Sequence, residues 1–97
     1  MNKEVLQKAI DVYGATAQQD MVIEEALELA LSILKFRRAL REGNKEEILN
    51  RRDNIIEESA DTKIMLEQVN MMFDCEEEVE EQTEYKINRL DERLNNK

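Results

Sequence analysis

The sequence predicts an all-α fold of four helices in a bundle-like arrangement. Three observations carry this. The 97 residues contain no Pro and two Gly, so the usual helix breakers are nearly absent. Apolar residues recur at three- and four-residue steps and nowhere in strict alternation. The polar punctuation falls where four helices need ends.

The first segment, Lys3 to Tyr13, sets Val5, Leu6, Ala9, Ile10 and Tyr13 on one helical face, and Gly14 can stop it. Thr16 with Gln19 reads as a capping box opening a second helix, about Ala17 to Glu42, which meets Gly43. Asn44 with Glu47 opens a third, Lys45 to about Phe73, where the polar run Asn50–Asn54 leaves a break open. Asp74 with Glu77 opens the last, to about Leu94, whose Val79, Thr83, Ile87, Leu90 and Leu94 form one stripe. The whole chain, 1–97, reads as one domain. A chain of this length buries only about 60–65% of its unfolded surface, a thin core unless another subunit extends it.

Composition excludes much chemistry. A single Cys forms no internal disulfide. Without His there is no Ser-His-Asp or Cys-His catalysis, and no His-containing zinc or di-iron site. The net charge of −9 argues against nucleic-acid binding. No apolar run is long enough for a membrane span or signal core. The expectation is a soluble, cytoplasmic, acidic helical protein, and on periodicity alone the plainest role is an interaction module.

Any chemistry must therefore come from Asp and Glu. Glu-Glu-x-x-Glu occurs at 24–28, 76–80 and 80–84. The last two enclose a single apolar residue, Val79, and read as a solvated face. The first lies inside Met21, Val22, Ile23, Ala26, Leu27 and Leu29, and sets Glu25 and Glu28 on one side of the helix. Glu58-Ser59-Ala60-Asp61 is the sole Glu-x-x-Asp, and Ile55, Met65, Leu66, Val69, Met72 and Phe73 are its neighbours on the helical wheel. Carboxylates on an apolar face are costly unless a cation holds them. Glu25, Glu28, Glu58 and Asp61, facing one interior, make an oxygen-only donor set that suits Mg²⁺ or Mn²⁺. Magnesium so bound completes its shell with water and substrate phosphates, which points to a phosphorylated ligand. The competing reading is structural ion pairing of the same residues with Lys and Arg. Two further residues are candidates for the ligand: Lys35, two turns beyond Glu28, for a phosphate, and Gln18, two turns before Glu25, for a base edge or the entrance.

At these residues the sequence resembles the MazG-like all-α nucleoside triphosphate pyrophosphatases, a superfamily that includes the dimeric dUTPases. The resemblance rests on Glu24-Glu25-Ala26-Leu27-Glu28, Ile55-Ile56-Glu57-Glu58-Ser59-Ala60-Asp61 and Ile64-Met65-Leu66, and covers roughly residues 15 to 75. The spacer from Glu28 to Glu58 is long for that family, and Ser59 stands where an apolar residue is more usual. The resemblance implies Mg²⁺-dependent hydrolysis of nucleoside triphosphates to monophosphate and pyrophosphate. It implies Glu25, Glu28, Glu58 and Asp61 as metal ligands and Glu25 or Glu24 as general base. It also implies a homodimer or homotetramer in which neighbouring subunits complete the bundle. Two readings compete: a non-catalytic helical interaction module, and a metal-dependent hydrolase of another phosphorylated compound on the same scaffold.

Overall fold

A computed structural model describes residues 1–96 as four helices, with no strand among them. In order they are α1 (Lys3–Tyr13), α2 (Ala15–Glu42), α3 (Lys45–Met72) and α4 (Glu76–Asn95).

The helix ends follow local chemistry. The Asn2 side chain accepts from the Val5 N–H and caps α1. Gly14 closes that helix by donating to the Ile10 carbonyl at 2.8 Å. Its φ of +94° is open to glycine, and it lets α2 begin one residue later. Thr16 is therefore inside the helix, and the expected Thr16–Gln19 box is not made; Gly14 caps α2 with no side-chain bond. Gly43, left-handed at φ +74°, ends α2 by donating to the Ala39 carbonyl. Asn44 then caps α3, accepting from the Glu47 N–H at 3.1 Å. The Glu47 carboxylate pairs with Arg51 one turn on, at 2.7 Å. No break occurs near Asn50–Asn54; α3 runs unbroken for 28 residues. The Asp74–Glu77 box is also absent. Asp74 takes a left-handed φ of +48° in the turn that ends α3, and Cys75 occupies the cap position.

The centre of the fold is the antiparallel pair α2–α3, joined by Gly43 and Asn44. On α2 the buried residues are Gln18, Ser32 and Ala39, all multiples of seven apart. This is the spacing of a coiled-coil seam. Ser32 and Ala39 are small, so α3 approaches closely, and the Ser32 hydroxyl is satisfied by the Leu29 carbonyl at 2.7 Å. The facing side of α3 carries half-buried Arg51, Glu58, Met65 and Met72, again seven apart, with Ile48, Ile55, Thr62 and Val69 beside them. Helix α1 packs against both partners and contributes buried Leu6 and Ile10. Lys3 ties α1 to the far end of the pair: its ammonium lies 3.6 Å from Glu67 and 3.0 Å from Glu76. The hydrogen bond to Glu76 raises the Lys3 pKa above its ordinary value.

The core is thinner than a bundle requires. Its buried apolar residues are Leu6, Ile10 and Ala39. Helix α4 buries no residue, and its expected stripe, Val79 to Leu94, lies exposed. The radius of gyration is 17.0 Å, against about 13 Å for a compact domain of this length.

The caps give a direct test. Asn44→Ala is expected to cost about 1 kcal/mol in urea unfolding, whereas Thr16→Ala stays within about 0.5 kcal/mol.

Candidate metal centre

On α2 the buried seam positions Gln18, Ser32 and Ala39 leave one member of the series, position 25, and it is Glu25. On α3 the matching seam position is Glu58, and Asp61 follows one turn later. The close approach of the two helices therefore brings carboxylates from both together. Oxygens of Glu25, Glu58 and Asp61 all lie within 4.8 Å of one another. Glu25 and Glu58 are half-buried, and Asp61 is exposed at the rim. Asp61 thus departs from the apolar placement expected for it, because its position on α3 lies to one side of the seam.

No cation balances these groups. Among the described residues no Lys or Arg forms an ion pair with Glu25, Glu28, Glu58 or Asp61. One oxygen of Glu58, Oε2, is fully buried and has no hydrogen-bond partner. Such a group costs free energy unless something else occupies its lone pairs. The Glu25 pKa is raised above the ordinary glutamate value, chiefly by burial, then by a hydrogen bond with Glu58 and by the charges of Asp61, Glu58 and Glu28. The geometry is that of carboxylates forced together without compensation, and it does not match structural ion pairing. Three acidic side chains and one orphaned oxygen are a fitting donor set for a hard divalent cation.

The other candidates fall around this centre. Glu28 is exposed and outside the three-residue cluster, yet its charge is felt at Glu25. Glu24 is exposed and lines an open depression of about 530 Å³ with exposed Tyr13, half-buried Met21 and buried Gln18. Lys35 is exposed and lies about 15 Å along α2 from Glu25. There it lines a smaller cleft with Arg38, Glu42, Glu47 and Arg51. It is thus separate from the carboxylates and grouped with other cations.

One contributor escaped the sequence reading. The Thr62 hydroxyl donates to the Glu25 main-chain carbonyl at 3.3 Å, across the helix pair. It joins α2 to α3 at the level of the carboxylates. A polar, β-branched residue next to Asp61 in mid-helix was the available signal.

No protein-family profile matches the chain, and neither the curated proteins nor the solved structures provide a match.

Two outcomes follow for the metal-free protein. Glu58→Gln removes charge from the cluster and is expected to raise the melting temperature; a structural ion pair would give the opposite sign. Glu25, with its folded pKa raised, favours folding most below its unfolded pKa and loses that contribution as pH rises through the folded value. The stability difference between wild type and Glu25→Gln should therefore grow in favour of the variant as pH rises from the ordinary glutamate range through the raised folded pKa.

Proposed function

We propose that the chain is a Mg²⁺-dependent nucleoside triphosphate pyrophosphohydrolase, acting in the cytoplasm as a homodimer or homotetramer. The observation that carries the reading is the set of Glu25, Glu58 and Asp61, gathered from two helices with no cationic partner. Its residues are those of the Glu-Glu-x-x-Glu and Glu-x-x-Asp motifs by which the sequence resembles the MazG-like pyrophosphatases.

In this reading Glu25, Glu58 and Asp61, joined by Glu28 from the rim, hold Mg²⁺, with Mn²⁺ as a substitute. When bound, the metal supplies charge neutralisation at the phosphate oxygens and a more acidic water. Water adds to a phosphorus of the α–β bridge, the bond from that phosphorus to the bridging oxygen breaks, and monophosphate and pyrophosphate leave. The proton of the water passes to a carboxylate oxygen of Glu24 or Glu25. Burial and the neighbouring carboxylates raise the Glu25 pKa, which makes its carboxylate a stronger proton acceptor than an ordinary glutamate. Thr62 holds the α2 backbone in place while the carboxylates change charge. Lys35, in the separate cleft with Arg38 and Arg51, takes no part in this reading. Gln18, beside the depression that Glu24 lines, contacts the nucleoside end.

The test is pyrophosphate release from a panel of ribo- and deoxynucleoside triphosphates with Mg²⁺. Glu58→Gln and Asp61→Asn are expected to lower turnover by more than the roughly 10–100-fold typical of outer-shell partners. Both should also abolish the rise in melting temperature on adding Mg²⁺. Turnover absent with that thermal shift retained assigns the same scaffold to another phosphorylated compound. Absence of both assigns the chain to non-catalytic helical interaction.

A further inference from the structure

Two exposed helix faces have no covering among the described residues. Helix α4 presents Val79, Thr83, Ile87, Leu90 and Leu94, none of them buried. Helix α2 presents Ile23, Leu27 and Leu34, each more than half exposed, on the side away from its buried seam. We propose that these faces cover each other between two copies: α4 of one chain lies antiparallel along α2 of a second, and the exchange is reciprocal.

The spacing supports this partner. Set antiparallel, the two stripes superimpose, with Leu94 facing Ile23, Leu90 facing Leu27, and Thr83 facing Leu34. The charge supports it as well. Residues 76–84 of α4 hold six glutamates and no base. Residues 35–41 of α2 hold four bases and no acid. In the antiparallel arrangement these segments adjoin, and Glu80 and Glu84 fall beside Arg38 of the other copy. One like-charge meeting, Asp91 near Glu24 and Glu28, offsets part of that attraction.

Within its own chain α4 touches α3 and not α2. It begins beside the start of α2, because α2 and α3 are antiparallel and α4 follows α3. Folding back would run it parallel to its own α2. Starting level with residue 15, its 20 residues would reach only to about residue 34 of α2, so its glutamates would meet Asp20 and never the basic segment 35–41. Opposed charge patterns of this kind select partner and orientation. A closed exchange is isologous, so each copy covers both faces of the other. The inference does not rest on the metal centre, and its readout is association.

The test uses the full chain with three changes, Cys75→Ser, Leu27→Cys and Leu90→Cys. Under mild oxidation the expected product is a covalent dimer. A cross-linked monomer overturns the proposal in favour of back-folding, and no cross-link at all overturns it outright. In parallel, sedimentation of the unmodified chain should show a dimer that weakens with salt. Arg38→Glu should weaken it about tenfold, and adding Glu80→Arg should restore it. A monomer at every concentration, or a dimer indifferent to Arg38→Glu, overturns the proposed register.

Discussion

The close approach of α2 to α3 is the constraint on which the rest depends. Ser32 and Ala39 make it sterically possible, since little side chain stands between the backbones at those levels. One heptad earlier the same seam carries Glu25, with Glu58 opposite. The one cation of the α3 seam, Arg51, pairs with Glu47 of its own helix at 2.7 Å and not with these carboxylates. The carboxylates are thereby set against each other, and the buried Glu58 Oε2 is left without a donor. Close packing along the helix pair and electrostatic frustration at its middle have one origin.

Stability is accordingly drawn from a narrow base. The buried apolar residues are few, and two of the buried polar ones, Gln18 and Gln68, are amides. The Oε1 of Gln68 has no hydrogen-bond partner. Most of the large apolar side chains on α2 and α4 face outward. A chain with this arrangement gains from anything that binds only the folded form, whether a cation at the carboxylates or a helix over the exposed stripes.

Much of the fold was legible in the sequence. The two glycines and Asn44 mark helix ends through backbone chemistry that needs no tertiary information, and those ends fall where expected. The two misread caps, at Thr16 and Asp74, were decided by neighbours: Gly14 begins α2 early, and Asp74 is drawn into the turn closing α3. Of the site, Glu25, Glu58 and Asp61 were legible because each motif places its acids one turn apart. The rim position of Asp61, the setting of Glu28 outside the cluster and the role of Thr62 depend on how two helices are phased. The series Gln18, Glu25, Ser32, Ala39 carries that phase, but it mixes polar and small residues and so lacks the apolar signature by which seams are usually found.

The turn between α2 and α3 consists of Gly43 and Asn44 alone. A connection this short leaves the two helices little freedom to slide or roll. Adding one residue at the start of α3 would advance every later side chain by about 100° around its axis and 1.5 Å along it. Glu58 would swing out of the seam and Glu57 or Asn54 would approach it in its place. The length of a two-residue turn more than 10 residues from the nearest of the α3 carboxylates is therefore part of the definition of the centre.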